Sequence, residues 1–242
     1  MTLARTITSV ALMAALIGCA EDTSSESFEL NENIERVVVN VDLGDLTISA
    51  GSMQDVTLVN VAVDCRTVAA DYDVYVDGDT LHVEMNAGID SSACEGAFEI
   101  IVPADVDVTA RTARGNVAVT GIDGDVSAVT YDGNIELTDV AGDLDISAVS
   151  GNVTGIELES MDNTISLGAG DAALAFTRAP HLVDVDTIMG NVNLTVPETT
   201  YHIDAVTDSG LVDVDGVNNL ATADSELLLI VESGDILIRG VE

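Results

Sequence analysis

The sequence predicts an all-β fold: a single-stranded parallel β-helix, or solenoid, with coils of about 18 residues and an irregular β region at its N-terminal end. Five glycines lie nine residues apart, and each is followed by Asn or Asp and then by an apolar residue. A fixed period with turn residues at its boundary is typical of stacked arrays, whose units bury apolar surface only against their neighbours. Helical periodicity is nearly absent after the N-terminal segment. The five turn residues are Gly115, Gly124, Gly133, Gly142 and Gly151.

The residue after each glycine alternates between Asn and Asp, which doubles the period and gives the coil two unlike corners. Asn116, Asn134 and Asn152 are expected to stack about 4.8 Å apart at one corner, where amides can hydrogen-bond along a ladder. Asp125 and Asp143 are expected to stack at the other corner, where like charges repel. Either these carboxylates point into water, or a cation such as Ca²⁺ bridges them. The candidate metal ligands are therefore Asp125 and Asp143, with Asp123 or Asp145 assisting.

The nine-residue unit also assigns the faces of each strand. Positions two and four after the glycine face one side because side chains alternate along a strand, and they are expected to be buried. Position seven is expected to return to the core after a bend. Its residues are Ile122, Tyr131, Val140, Val149 and Leu158.

The N-terminal segment predicts export and a lipid anchor. Residues 1–18 read as a signal peptide, because the apolar stretch is too short for a permanent membrane span. It ends in Leu16-Ile17-Gly18-Cys19, which resembles the lipobox of bacterial lipoproteins and implies lipidation of Cys19; an ordinary secretory signal with a chance cysteine is the alternative. Ala20 fits sorting to the outer membrane in a Gram-negative cell. Residues 19–30 are then the lipidated cysteine and a flexible acidic linker.

Residues 31–105 are predicted to form the irregular β region that caps the array. Cys65 and Cys94 remain as an even pair in an oxidising compartment, on either side of a predicted hairpin with the turn Asp77-Gly78-Asp79. A disulfide between them is expected, and two redox-active thiols are the alternative. The regular solenoid is assigned to residues 106–242, with insertions after Leu158 and a loop or short helix from Ala172 to Pro180.

The charge restricts the possible partners. The chain has 43 acidic residues against seven basic ones, no lysine, and a formal net charge of −36. This charge repels nucleic acid and anionic lipid surfaces, and it is compatible with cations, cationic peptides or a salty habitat. Acids on outward strand positions also protect sheet edges from aggregation, which is the simpler explanation.

No motif predicts catalysis or a cofactor. His82, His181 and His202 lack the spacing of metal ligands, and no nucleophile elbow or nucleotide-binding loop occurs. Acid pairs such as Asp184 and Asp186 are expected by chance in so acidic a chain. Seven aromatic residues, with no Trp, argue against sugar-binding platforms. We therefore expect no enzymatic activity, no small-molecule substrate and no required cofactor.

The glycine motif returns in the C-terminal part, at Gly190, Gly210 and Gly234. The chain also repeats Thr-x-x-Gly-Asn-Val/Ile segments. Together with Val102-Pro103-Ala104, and with Val196-Pro197 before Thr207-Asp208-Ser209-Gly210, these segments resemble the putative-adhesin domains of bacteria over residues 37–240. The resemblance implies a cell-envelope β-solenoid without catalytic residues. The expected function is a structural or surface-interaction module that contacts other envelope components. The alternatives are a sensor that binds cations or cationic peptides, a filament formed by end-to-end stacking, and a glycan-active enzyme.

Overall fold

The structure is a computed structural model that describes residues 22–52, 57–65, 71–86 and 94–241. The predicted signal peptide and Cys19 lie outside the described residues. No described helix is long and apolar enough to cross a membrane. The strands of the described part are β1 (Asp22–Leu30), β2 (Arg36–Ala50), β3 (Thr57–Cys65), β4 (Asp71–Asp77), β5 (Thr80–Asn86), β6 (Cys94–Val102), β7 (Asp107–Arg114), β8 (Val117–Ile122), β9 (Val126–Asp132), β10 (Ile135–Val140), β11 (Leu144–Ser150), β12 (Val153–Leu158), β13 (Asp162–Ala169), β14 (Ala172–Phe176), β15 (Leu182–Met189), β16 (Val192–Pro197), β17 (Thr200–Ser209), β18 (Val212–Asp215), β19 (Asn218–Asn219), β20 (Glu226–Ser233) and β21 (Ile236–Val241).

The strands form a stack of parallel coils, which confirms the predicted all-β solenoid. Sheet I contains β8, β10, β12, β14, β16 and β21 in that spatial order, and sheet II contains β7, β9, β11, β13, β15 and β20. Each coil gives one strand to each sheet. The inward side chains of both sheets share one hydrophobic core, since alternate residues of every strand face the same side.

The register confirms the 18-residue coil. In sheet I, Val117 lies beside Ile135, and Ile135 lies beside Val153. The next two coils are longer, because Val153 pairs with Ala172 and Ala172 pairs with Val192. The extra residues are accommodated without breaking either sheet.

Burial at position seven differs between the two halves of the coil. Ile122, Val140 and Leu158 in sheet I are buried, as predicted. Tyr131 and Val149 in sheet II are 64% and 47% exposed, so the prediction is wrong for them. Backbone conformation explains the difference. In sheet I the preceding residues, Gly121, Asp139 and Glu157, all have φ between 55° and 71°, and this left-handed turn directs the next side chain inward.

The N-terminal end is closed by strands of mixed direction. β3 runs antiparallel to both β1 and β6, and β4 runs antiparallel to β5 across the predicted hairpin turn. β2 nevertheless belongs to the regular stack. Its first half lies in sheet II between β5 and β7, and its second half lies in sheet I between β6 and β8.

Two local predictions are wrong. Residues 22–30, assigned to a flexible linker, form β1, and this strand is held by pairing with β3 and by burial of Leu30. The stretch from Ala172 contains β14 instead of a loop or short helix. Its Ala172, Leu174 and Phe176 are buried at alternating positions, as the inner face of a strand requires.

At the C-terminal end, the order of the coils in space differs from their order in the chain. β20 lies between β15 and β17, and β21 lies between β16 and β18. The last coil in sequence is therefore enclosed. The terminal coil in space is the one before it, formed by β17 and β18.

Candidate functional site

The first corner of the coil is built from stacked glycines. Gly115, Gly133 and Gly151 have φ between +145° and +159°, a region that other residues rarely adopt. A Cβ atom on Gly151 would also overlap the carbonyl oxygen of Gly133 in the neighbouring coil. At the second corner, a Cβ on Gly142 would overlap the carbonyl oxygen of Gly124 in the same way. The five predicted turn glycines thus allow adjacent coils to approach closely.

The residue after the first-corner glycine forms a hydrogen-bonded column, which we call the Asx ladder. The Asn134 backbone N–H donates to Asn116 Oδ1 at 3.0 Å, and the Asn152 N–H donates to Asn134 Oδ1 at 2.9 Å. Each side-chain oxygen therefore accepts a hydrogen bond from the backbone of the next coil. The predicted asparagine stack exists, and aspartates occupy further positions of it. The ladder consists of Asp45, Asn116, Asn134, Asn152, Asp171, Asn191 and Asp235.

The second corner carries an aspartate ladder, which consists of Asp107, Asp125, Asp143 and Asp162. The N–H of Asp143 donates to Asp125 Oδ1 at 3.0 Å, and the N–H of Asp162 donates to Asp143 Oδ1 at 3.1 Å. The Asp125 N–H likewise donates to Asp107 Oδ1 at 3.2 Å. Backbone N–H groups therefore supply part of the compensation that these stacked carboxylates require.

A basic side chain lies at each end of the aspartate ladder. Arg36 Nη2 is 3.5 Å from Asp107 Oδ2, and His181 Nδ1 is 2.8 Å from Asp162 Oδ1. The hydrogen bond to Asp162, together with its negative charge, raises the pKa of His181 above its usual value. In the sequence, His181 stands alone, without the spacing of a metal ligand. Its position one coil after Asp162 was the available signal.

The aspartate ladder borders an open groove of about 390 Å³. Asp125, Asp143 and Asp145 line this groove, whereas Asp123 lines a separate groove beside Asp105. The four candidate metal ligands are thus divided between two places. Among the described residues, no group of three or more His, Cys, Asp or Glu side chains is arranged to hold a metal ion.

The two cysteines of the N-terminal region lie opposite one another in the backbone. Cys65 at the end of β3 and Cys94 at the start of β6 are directly paired residues of antiparallel strands. Such pairs have Cα atoms about 4.5–5.5 Å apart, which is within the range that a disulfide spans. Their side chains lie outside the described part, so the disulfide stays a prediction.

The other histidines have ordinary neighbours on the strand surfaces. The His82 ring stacks on Tyr75 with centroids 4.8 Å apart, and His202 Nδ1 is 3.4 Å from Glu226 Oε1. Both Asp184 and Asp186 lie on the outward face of β15, where side chains alternate away from the core. The polar groups of the described residues are thus distributed along corners and faces.

Neither the protein-family models nor the curated proteins contain a match to this chain. Solved structures do match it. A putative adhesin from Parabacteroides distasonis is 12% identical, with a TM-score of 0.48, over 89% of this chain and 97% of that chain. A putative lipid binding protein from the same organism is 13% identical, with a TM-score of 0.49, over 91% of this chain and 96% of that one.

A putative adhesin from Bacteroides fragilis is similar to the chain to the same degree. It is 11% identical, with a TM-score of 0.46, over 92% of this chain and 98% of that chain. The resemblance to putative adhesins that the sequence motifs predicted is thus also found among solved structures.

Proposed function

We propose that this protein is an exported, lipid-anchored and non-catalytic module of the bacterial cell envelope, with a structural or surface-binding role. The observation that carries the proposal is that the polar corner residues form hydrogen bonds between coils. In both ladders the Oδ1 atom of one residue accepts a hydrogen bond from the backbone N–H of the next coil, so these residues hold the stack together. The binding role is therefore assigned to the outward faces and the ends of the stack.

The lipid anchor is tested at Cys19. Cells that produce the full chain are labelled with radioactive palmitate and fractionated, with Cys19→Ser as the matched variant. We expect the wild-type protein to carry label and to fractionate with membranes, whereas C19S carries none. A mature wild-type N-terminus at a residue other than Cys19, found by mass spectrometry, would contradict the lipid anchor.

The surface-binding role is tested with isolated envelope fractions. We expect saturable binding of the purified protein to envelope fractions from its own host, with no turnover of glycan or peptide substrates. An absence of binding, together with a measurable hydrolytic or lyase activity, would overturn the proposal. The acidic surface predicts that binding weakens as salt rises, because salt screens exposed charges beyond about 8 Å at physiological ionic strength.

The alternative function is the capture of cations along the aspartate ladder, and the row of four carboxylates favours it. The discriminating experiment is a Ca²⁺ titration of the melting temperature, with Asp143→Asn as the variant. D143N keeps the Oδ1 acceptor of the ladder and removes one charge. A rise at millimolar Ca²⁺ that D143N diminishes supports the alternative. An unchanged melting temperature contradicts it, and this is the result that we expect, because Asp125, Asp143 and Asp107 already accept backbone hydrogen bonds.

A further inference from the structure

The terminal coil leaves the end of the hydrophobic core partly uncovered. Val212 and Val214 of β18 lie in register with Ile236 and Ile238, so they face the core side of sheet I. They are 43% and 40% exposed, whereas Ile236 and Ile238 are at most 1% exposed. The core therefore ends in a row of apolar side chains for which the described part of the chain provides no further coil.

The backbone at this end is also open. β18 pairs with β21 alone among the described strands. The Ile236 N–H donates to the Leu211 carbonyl oxygen, and in a parallel ladder this places the N–H and C=O of Val212 and Val214 on the opposite, outer edge. An exposed edge of this kind can pair with another strand.

The neighbouring edge of β17 is partly covered, in contrast to β18. The Asn219 side chain both donates to the Ile203 carbonyl oxygen at 3.1 Å and accepts from the Ile203 N–H at 3.2 Å. The Leu220 N–H also donates to the Tyr201 carbonyl oxygen. A chain segment thus blocks the start of the β17 edge, whereas no described strand pairs with the outer edge of β18 in sheet I.

The charge around this edge selects the partner. Asp213 and Asp215 alternate with the two valines on β18 and face outward. Arg239 is the basic side chain beside them, and its Nη2 is already 2.8 Å from Asp213 Oδ2. The other end of the stack is acidic too, with Glu26 and Glu29 on β1. Stacking of a second copy on either end would therefore bring like charges together, and the whole chain carries a net charge of −36.

We propose that the outer edge of β18 binds an extended, cationic segment of another envelope protein, which adds to sheet I as a further strand. The proposal specifies the binding surface of the module and so rests on the proposed function. Side chains alternate along the added strand. Its apolar residues cover Val212 and Val214, and its Lys or Arg residues meet Asp213 and Asp215.

The test uses a fluorescent peptide of about eight residues, alternating Val and Lys, because about this length forms an ordinary strand. Its binding to the purified protein is followed by anisotropy at physiological salt. The control is the same sequence with alternate backbone nitrogens methylated, which keeps the charge and removes the N–H groups on one edge. We expect the methylated peptide to bind at least about tenfold more weakly, since each lost hydrogen bond costs about 1 kcal/mol.

The protein side of the test is Val214→Pro, with Val214→Thr as the matched control. Proline removes an N–H that points away from the protein's own ladder, so the fold should tolerate it at this edge. We expect V214P to lose peptide affinity as the methylated peptide does, and V214T to keep it. Circular dichroism and melting temperature test whether both variants fold. If V214P does not fold, the comparison with the methylated peptide still tests the proposal.

Two results would overturn the inference. Equal binding of the two peptides would show that only charge attracts them. Concentration-dependent self-association that V214P abolishes would identify a second copy as the occupant of this edge. In either case, continued binding of the wild-type protein to envelope fractions would leave the proposed function intact. Loss of envelope binding in V214P but not in V214T would support the inference.

Discussion

Gly151 illustrates at the residue scale why the nine-residue motif requires glycine. Its φ of +145° is unfavourable for other residues, and a Cβ would overlap the Gly133 carbonyl oxygen of the preceding coil. We expect Gly151→Ala to lower the free energy of unfolding by about 3 kcal/mol or more, since backbone strain and a forced shift of the neighbouring coil add together.

The matched control for this substitution is Gly78→Ala. Gly78 has a φ of +68°, but an added Cβ would meet no atom within 4 Å. Gly78→Ala should therefore lower the free energy of unfolding by about 1–2 kcal/mol, because only the left-handed backbone is unfavourable for alanine. Urea unfolding of the two variants measures the difference, and equal losses would show that close coil packing does not depend on the glycine column.

His181 gives a pH-dependent contribution at the residue scale. Its raised pKa means that the folded state holds the proton more tightly than the unfolded state does. The pair with Asp162 therefore stabilises the fold below the unfolded-state pKa of about 6.5, and this contribution disappears as the pH rises through the higher folded-state pKa. We expect Asp162→Asn to lower the pKa of His181, measured by NMR titration of the imidazole.

The control for the histidine titration is Asp145→Asn. Asp145 lies on the outward face of β11 and also lines the groove, so its substitution changes the local charge without touching the imidazole. D145N should leave the titration of His181 nearly unchanged. A His181 titration that D162N does not alter would contradict the assigned contact.

At the scale of the elements, the Asx ladder connects successive coils. Asn134→Ala removes the oxygen that accepts the Asn152 N–H, and we expect a loss of about 1–2 kcal/mol in the free energy of unfolding. Asn134→Asp keeps an acceptor oxygen and should cost less, as Asp171 and Asp235 at equivalent positions suggest. Equal losses in urea unfolding would show that the oxygen is not the stabilising group.

The pairing of β3 with β6 leads to a second prediction at this scale. Cys65 and Cys94 are expected to form a disulfide, which closes a loop of roughly 30 residues and stabilises by roughly 3–4 kcal/mol in the chain-entropy model. Reduction should therefore lower the urea midpoint of the wild-type protein and leave that of Cys65→Ser unchanged. Ready labelling of both thiols in the native, unreduced protein would contradict the bridge.

The elements also show how far the sequence could predict the fold. The turn glycines and the apolar residues at position two predicted the strands, and the alternation of Asn and Asp after the glycine predicted the 18-residue coil, because both follow from periodicity. The opposite orientation of Tyr131 and Val140 could not be predicted, since both stand at position seven of similar units. The difference depends on the left-handed backbone at Asp139, a non-glycine residue that carries no sequence signature of this turn.

At the scale of the whole molecule, the order of the last coils determines which strand edge is open. Gly210 and Gly234 are each followed two residues later by an apolar residue, and this spacing does not indicate that β20 and β21 are enclosed. One signal was present. Leu211 follows its glycine where the other coils have Asn or Asp. Its N–H donates to Asp235 Oδ1, but it has no side-chain oxygen that could accept a hydrogen bond from a further coil, so the Asx ladder ends there. The open β18 edge therefore depends on the order of the last coils, which Leu211 alone indicates in the sequence.

Cross-linking of paired cysteines tests this order most directly. Asp186, Ile230 and Val206 are outward residues in one row of sheet II, where Ile230 lies beside both of the others. After mild oxidation and mass spectrometry, Asp186→Cys/Ile230→Cys should form a linked peptide, because adjacent strands are about 4.8 Å apart. Asp186→Cys/Val206→Cys should form none, because two strand spacings separate the pair. The reverse result would place β17 beside β15 and would remove the open β18 edge on which the proposed binding surface depends.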